Sequence, residues 1–478
     1  MKRIVAAIVT VAGWTAAEPL QLHPENPHYF LFRGKPTVLV TSGEHYGAVI
    51  NREFDYRVYL AELRRRNLNH TRVWAGAYRE VPGNFSITNN TLAPAADKFV
   101  APWPAIEGGR FDLARWNPEY FTRLHAFMRE ADRNGIVVEM NLFCPFYEDS
   151  MWKVSPLHTN VPRTEALTLK HPELVKVQEA MVRKIVTKLN AFDNLYYEIA
   201  NEPYFGGVTV EWQEHIAKVV AATEASLPKR HLISQNIANG SKKIEKPLEL
   251  VSIFNFHYSR PPDSVAMNYA LNRVIGNNET GFDGSADATY RIQGWDFLMA
   301  GGALYNNLDY SFAAGNEAGD FAYPPSTPGG GSATLRRQLG LLRRFFDEMP
   351  FVRMAPCNEV IKRAVASSRA LCEPGRLYAV HIHHGRPVKD GKPKYQVDGS
   401  PQRTTLELEL PAGSYDVRWF DTKTGSARNT RIAHAGGLAT IASPEYSNDI
   451  ALRVSRRGRD RQRAVRPAEA RRPGLRAR

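Results

Sequence analysis

Cysteine is scarce in this chain, with three residues among 478. Cys144, Cys357 and Cys372 form no Cys-x-x-Cys pattern, which excludes a disulfide-rich scaffold and the usual cysteine-based zinc sites. In an oxidising compartment Cys357 and Cys372 could pair and leave Cys144 free. Buried free thiols are the alternative, and the composition does not decide between the two.

Long apolar runs are also missing. The apolar run at residues 4–12 is shorter than the roughly 20 residues that span a bilayer, and no later stretch is long enough, so no membrane span is expected. The run follows Met1-Lys2-Arg3 and is succeeded by small residues up to Ala17, the pattern of a secretory signal peptide. We therefore expect a signal peptide at 1–17 and a periplasmic or secreted protein.

Acidic residues are fewer than lysines and arginines, and the formal net charge is +13. The segment 453–478 contains eleven arginines against two acidic residues and so carries +9 of that charge, while the remainder is close to neutral. We expect a disordered basic tail at 456–478 and no nucleic-acid interface on the folded part. The charge alone would favour an alternative hypothesis, a protein that binds nucleic acid or another polyanion. Under that hypothesis, deletion of the tail after Val454 would abolish polyanion binding.

Strand-like and helix-like patterns alternate along most of the chain, which predicts an α/β fold, a (β/α)8 TIM barrel at 18–352. Helices are predicted at 54–66, 118–134, 173–189, 211–226 and 334–348, with a weak one near 263–271. The predicted strands lie at 36–41, 70–74, 136–143, from 194 to the Asn201-Glu202-Pro203 turn, at 231–235, 250–258 and 273–279, and within 298–308.

From about residue 355 the apolar pattern changes to period two, with alternating segments at 377–383, 404–410, 414–420 and 449–454. Turn signals separate these segments, so we predict a small antiparallel β-sandwich at 353–455.

Polar side chains lie at the ends of three predicted barrel strands and within a fourth. Asn201-Glu202 follows the fourth strand, His257-Tyr258 the sixth and Glu279 the seventh, while Arg72 lies in the second. Because the carboxyl ends of barrel strands carry the chemistry of this fold, these side chains should converge at the barrel mouth. Two carboxylates there, one ionised beside an arginine and one protonated, are what retaining glycoside hydrolysis needs.

With these residues, the stretch from about 28 to 350 resembles the clan A (β/α)8 glycoside hydrolases, most nearly the cellulase-like members. The resemblance implies that Glu202 is the acid/base and Glu279 the nucleophile. It further implies that Asn201 donates to the sugar 2-hydroxyl, Arg72 supports the nucleophile, and His257 and Tyr258 flank the carboxylates. The clan usually has a tryptophan near the end of strand eight, where this chain has Tyr305. The C-terminal part resembles the collagen-binding-type β-sandwich of bacterial hydrolases, and packing against the barrel is its expected role.

Further substrate-binding candidates lie on the expected loops and strand ends: Glu44, His45, Trp103, Tyr305 and Asn306. Aromatic side chains suit a sugar cleft because sugar rings stack on flat apolar faces. Glu317 is the rival nucleophile, although it lies in a glycine-rich loop. Glu139 is interpreted as a core residue in mid-strand.

The sequence thus predicts a retaining glycoside hydrolase that cleaves O-glycosidic bonds of a poly- or oligosaccharide and needs no metal or organic cofactor. The expected partner is a carbohydrate substrate, not nucleic acid. A barrel that binds carbohydrate without catalysis is the alternative. The sugar, the linkage, end-on or internal cleavage and the oligomeric state cannot be read from the residues.

Overall fold

A computed structural model describes residues 18–391 and 393–457. The expected signal peptide lies outside these residues, as does the basic tail from residue 458 onwards. Within the described part, no helix has the length and apolarity needed to cross a bilayer.

Eight parallel strands form one sheet that closes into a barrel. The strands are β1 Leu39–Gly43, β2 His70–Trp74, β3 Val137–Asn141, β4 Leu195–Glu198, β5 Ile233–Asn239, β6 Ile253–His257, β7 Val274–Glu279 and β8 Leu304–Leu308. Their order around the sheet is β1-β8-β7-β6-β5-β4-β3-β2. The backbone N–H of Asn69 donates to the carbonyl of Val40 over 3.2 Å, which joins β2 to β1 and closes the ring.

Within the described residues, eight α-helices accompany these strands. They are α1 Tyr56–Arg65, α2 Pro118–Arg133, α3 Asp149–Val154, α4 Pro172–Leu189, α5 Val210–Glu224, α6 Asp263–Asn268, α7 Asp287–Met299 and α8 Ala333–Asp347. Short 3-10 turns occur at Asn84–Ser86, Ala96–Lys98, Glu107–Gly109, Arg163–Glu165, Tyr269–Leu271, Phe351–Arg353 and Asn358–Val360. The predicted TIM barrel is therefore confirmed, with most element bounds shifted by only a few residues.

Two barrel strands are shorter than the stretches predicted to hold them. Strand β4 ends at Glu198, so Asn201 and Glu202 lie in the turn that follows it and not at the strand end itself. Residue 298 belongs to α7, a helix that the sequence pattern did not reveal, and β8 begins only at Leu304.

A small antiparallel sheet covers the amino-terminal end of the barrel. Its strands are Gln21–Leu22, Phe30–Phe32 and Lys35–Thr37. The backbone N–H of Leu20 donates to the carbonyl of Asp193, just ahead of β4, over 2.9 Å. This end of the barrel is therefore closed, and the opposite end carries the open cavity described below.

The C-terminal part is a β-sandwich, as predicted. One sheet has six strands in the order Ala355–Pro356, Ser367–Glu373, Leu377–His383, Asp449–Arg456, Gly413–Phe420 and Ala427–His434. The facing sheet consists of Ile361–Arg363, Thr405–Leu410 and Gly437–Ala442. Two short ribbons complete it: Gly385–Pro387 with Tyr395–Val397, and Pro401–Gln402 with Tyr446–Ser447.

The six-stranded sheet packs on α7. Trp295 of this helix lies 6.0 Å from Phe420, and Arg291 forms a buried ion pair with Asp449, the shortest distance being 2.6 Å. Cys357 and Cys372 form a disulfide with Cα atoms 5.9 Å apart, and Cys144 is free and buried.

Candidate active site

Two carboxylates, from Glu202 and Glu279, face each other at the carboxyl end of the barrel. Glu279 is the last residue of β7, and Glu202 lies in the turn after β4. Their side chains are nearly buried, and one oxygen of each lies within 4.8 Å of the other and of a ring nitrogen of His257. They border a cavity of about 570 Å³. It is lined by His45, Tyr46, Trp74, Glu80, Phe85, Tyr147, Asn201, Glu202, Asn239, Gly240, Tyr258, Arg260, Glu279, Phe282 and Lys394.

The carboxylate of Glu279 is surrounded by donors. Tyr46 Oη donates to Oε2 over 2.8 Å and Tyr258 Oη to Oε1 over 2.5 Å, while Arg72 Nη1 lies 3.1 Å from Oε2. Burial alone would raise the pKa of Glu279, but the charges of His257 and Arg72 and the two tyrosine hydrogen bonds more than offset it and lower that pKa. Glu279 is therefore kept ionised, as a nucleophile must be.

The carboxyl group of Glu202 has different neighbours. Tyr147 Oη donates to Oε2 over 2.6 Å, Tyr204 Oη lies 3.3 Å from Oε1, and His257 Nδ1 lies 3.1 Å from the same oxygen. Burial lowers the pKa of His257, but the Glu279 charge and the Glu202 hydrogen bond raise it overall. Two carboxylates this close disfavour double ionisation, and the arginine lies beside Glu279. Glu202 therefore lacks the guanidinium that stabilises the negative charge of Glu279.

Beneath the pair, Arg72 is the centre of a buried polar layer inside the barrel. Besides Glu279 it contacts Glu139 on β3, Glu198 on β4 and the side-chain oxygen of Asn201, with distances of 2.5, 2.9 and 2.9 Å. Burial and the Glu139 charge raise the pKa of Glu198 to about 7, while Arg72 opposes them. Because it is bound on several sides, the guanidinium is fixed in position under Glu279 and Asn201.

Three residues at this site have a strained backbone. Tyr46, Glu202 and Tyr258 have φ angles of 61°, 36° and 51°, in the left-handed region that non-glycine residues rarely adopt. Each of these residues carries a side chain that touches the carboxylate pair or belongs to it. Strain of this kind persists where surrounding contacts hold a functional group in place.

The structure brings most of the sequence-predicted residues together. Glu202, Glu279, Asn201, His45 and Tyr258 line the cavity, and Arg72 and His257 lie directly behind it. His45 Nε2 lies 3.2 Å from Glu80 Oε1, so the histidine and this carboxylate form a pair at the cavity wall.

Four predicted substrate contacts lie outside the cavity. Glu44 is buried and accepts from the backbone N–H groups of Gly47 and Ala48, so it holds a loop together. Trp103 is buried beside Trp116, with ring centroids 5.9 Å apart.

The other two lie on β8. Tyr305 faces the helix layer, where its hydroxyl donates to the carbonyl of Tyr290 over 2.8 Å. The amide of Asn306 is buried and donates to the carbonyl of Asn278 over 2.9 Å. Neither side chain is available to a substrate in the cavity.

Solved structures share this architecture. No protein-family model matches the chain, and no curated protein matches its sequence. A structure described as a glycoside hydrolase has a TM-score of 0.63 at 14% identity, over 92% of this chain and 97% of its own. A glycoside hydrolase family 5 structure from Bacteroides vulgatus has a TM-score of 0.62 at 13% identity, over 92% and 93%. The endo-1,4-beta-mannanase of Rhizomucor miehei reaches 0.50 at 11% identity, over 70% and 100%.

This chain has their fold. The first two structures are matched across nearly the whole chain, so the likeness includes the C-terminal sandwich as well as the barrel. At such identities the comparison establishes architecture, and the chemistry must be argued from the side chains in the cavity.

Several cavity residues were not singled out from the sequence. Glu80 and Phe85 come from the long loop after β2, Asn239 ends β5, and Arg260 follows β6. Glu80 and Asn239 could have been suspected because they follow strands, as the predicted residues do. Lys394 had no such signal, because it belongs to the C-terminal sandwich.

Glu202, His257 and Glu279 form a group that could in principle hold a cation. Their atoms are already hydrogen-bonded to one another and to tyrosine hydroxyls, however, and Arg72 places a positive charge 3.1 Å from Glu279. A second cation beside the guanidinium would be repelled, so the arrangement suits proton transfer and nucleophilic attack better than metal binding.

Proposed function

We propose that the protein is a secreted retaining glycoside hydrolase that acts on a poly- or oligosaccharide. The observation that carries the proposal is the pair Glu202 and Glu279, with carboxylate oxygens within 4.8 Å and a guanidinium on one side only. Retaining enzymes hold the two carboxyl groups about 5–5.5 Å apart, whereas inverting enzymes leave about 6.5–9.5 Å for a water molecule. The solved glycoside hydrolase structures that share this fold support the proposal of a glycoside hydrolase.

In the first step Glu279 attacks the anomeric carbon and forms a glycosyl ester, while Glu202 gives its proton to the departing glycosidic oxygen. In the second step Glu202 takes a proton from water, which attacks the same carbon and releases Glu279 as a carboxylate. His257 Nδ1 contacts both carboxylates, so it can donate a hydrogen bond to either of them as their charges change during the two steps.

Asn201 is well placed to bind the sugar. Its side-chain oxygen accepts from Arg72, and its Nδ2 lies 3.1 Å from Tyr147 Oη at the cavity wall. The amide nitrogen donates to Tyr147 Oη and lies 3.8 Å from Cys144 Sγ, so a sugar 2-hydroxyl would replace the tyrosine as the acceptor of one N–H group. That bond can strengthen as charge develops in the transition state.

Secretion is part of the proposal. Its support is the signal-like sequence at 1–17 and the disulfide between Cys357 and Cys372, because disulfides persist in oxidising compartments.

The test is hydrolysis of a panel of aryl glycosides and polysaccharides by the wild type, Glu279→Ala and Glu317→Ala. Loss of the nucleophile should lower kcat by at least about 10³-fold, and azide should restore turnover as a glycosyl azide of inverted anomeric configuration. Glu317 is the matched control, because its carboxylate accepts from the backbone N–H groups of Asp55 and Gly315 outside the cavity. Full activity of Glu279→Ala would move the nucleophile elsewhere, and binding of sugars by the wild type without hydrolysis would favour a carbohydrate-binding barrel.

A further inference from the structure

The cavity wall is not made by the barrel alone. Lys394 lines it, and this residue belongs to the short ribbon of the sandwich formed by Gly385–Pro387 and Tyr395–Val397. The C-terminal part therefore reaches the mouth of the barrel, close to the loop that follows the nucleophile strand.

Contacts at both ends hold this ribbon in place. At its base Tyr395 is 3% exposed, and its strand packs against α7. At its turn the N–H of Val388 donates to the carbonyl of Lys394 over 2.8 Å. Pro393 rests on Gly284, where an added Cβ would come within 3.2 Å of the proline ring. Gly284 lies five residues after Glu279, so the ribbon is supported by the loop that leads out of the site.

The charges around the cavity make Lys394 different from the other cations. Arg260 is paired with Asp283, His45 with Glu80, and Arg72 with three carboxylates. Lys394 is exposed, and among residues 18–391 and 393–457 it has no carboxylate partner within 4.0 Å. It is thus a positive charge at the cavity edge whose counter-ion the described part of the chain does not supply.

We propose that the ribbon forms part of the substrate-binding surface and that Lys394 binds an anionic substituent of the sugar chain, a carboxylate or a sulfate. This inference rests on the proposed hydrolase function and narrows its substrate class. An ammonium group on a flexible stem suits a singly charged substituent that varies in position. A neutral polysaccharide would leave this charge unmatched.

The test uses one sugar backbone in three forms. β-1,4-Linked gluco- and manno-oligosaccharides are prepared unmodified, oxidised to the carboxylate at C6, and sulfated at C6. Their binding to full-length Glu202→Gln, which holds ligands without turning them over, is measured by titration calorimetry. We expect at least one anionic form to bind roughly three- to tenfold more tightly than its neutral parent, and the gain to shrink as salt is raised. The form that gains distinguishes a carboxylate from a sulfate.

Two further variants in the same background locate the effect. Lys394→Ala should abolish the preference for the anionic form, and Lys389→Ala, an exposed lysine of the same turn that does not line the cavity, should keep it. Equal affinity for all three forms, no binding of any form, or a preference that survives Lys394→Ala would each overturn the inference. Wild-type hydrolysis of neutral oligosaccharides with no gain for the anionic ones would overturn it while leaving the hydrolase proposal intact.

Discussion

At the scale of single residues, two tyrosine hydroxyls add to the charges of His257 and Arg72 in lowering the pKa of the nucleophile. Tyr46 and Tyr258 each donate to one oxygen of Glu279, at 2.8 and 2.5 Å. A hydrogen bond to the charged form of an acid lowers its pKa, so each hydroxyl helps to keep Glu279 ionised.

Replacing Tyr258 by Phe should therefore change the pH profile as well as the rate. With one donor gone the pKa of Glu279 rises, so the acid limb of kcat/KM should move to higher pH, and kcat/KM at its optimum should fall about ten- to a hundredfold. The measurement is the pH dependence of kcat/KM. Tyr323→Phe is the control, since that hydroxyl donates to Gly331 away from the cavity, and its profile should match the wild type. A Tyr258→Phe profile that drops in height without moving would contradict the assigned role.

The sequence could place the residues that follow strands directly. Glu279, His257 and Tyr258 end strands whose apolar runs are clear, so their meeting at the barrel mouth follows from the fold. Tyr305 and Asn306 could not be assigned in the same way. In the run Leu-Tyr-Asn-Asn-Leu neither face is clearly polar, and a shift of one residue exchanges the inward and outward positions.

At the scale of elements, α3 and α7 are the two helices that the sequence did not predict, and the burial of α7 explains why it was missed. Every residue from Thr289 to Met299 is buried, between β8 on one side and the sandwich on the other. A helix buried all round has no polar face, so the periodic pattern that indicates an amphipathic helix is lost. Polar members such as Arg291 and Asp296 are instead neutralised by partners more than 70 residues away, which no local pattern can reveal.

The disulfide is a second feature at the scale of elements. Cys357 precedes a short 3-10 turn, and Cys372 lies on the strand Ser367–Glu373, so the bond closes a loop of 15 residues. The sequence left this pairing open because spacing alone does not fix it.

Reduction of the bond should destabilise the sandwich by about 3 kcal/mol, the value expected for a loop of this length. Urea unfolding with and without dithiothreitol measures the effect, and the double variant Cys357→Ala/Cys372→Ala should unfold like the reduced wild type and not respond to the reductant. Three alkylatable thiols in the unfolded, unreduced protein would show that the bond is absent.

At the scale of the whole molecule, one face of the sandwich joins the core of the barrel, while the interior of the sandwich forms a second apolar cluster. Leu371, Leu377, Phe420 and Ala451 of the sandwich belong to the same apolar cluster as the barrel residues. Ion pairs then fix the junction, with Arg369 Nε 2.7 Å from Asp296 Oδ1 and His383 3.5 Å from the same oxygen. Apolar contacts and ion pairs together hold this junction in place. The ribbon that carries Lys394 is therefore kept next to the active site.

The junction should loosen in acid. Burial alone would raise the pKa of Asp296, but His383 and Arg369 more than offset it and lower that pKa to about 2. A carboxylate whose folded pKa is depressed stabilises the fold above its unfolded value of about 3.8, and this contribution disappears as the pH falls through 2. The difference corresponds to about 2 kcal/mol, so Asp296→Asn should be less stable than the wild type at pH 5, with the gap closing towards pH 2. Urea unfolding at successive pH values measures it, with Asp416→Asn, an exposed partner of Arg431, as the control that should parallel the wild type throughout. A gap between Asp296→Asn and the wild type that stays constant from pH 5 to pH 2 would mean that the charge of Asp296 does not hold the two parts together.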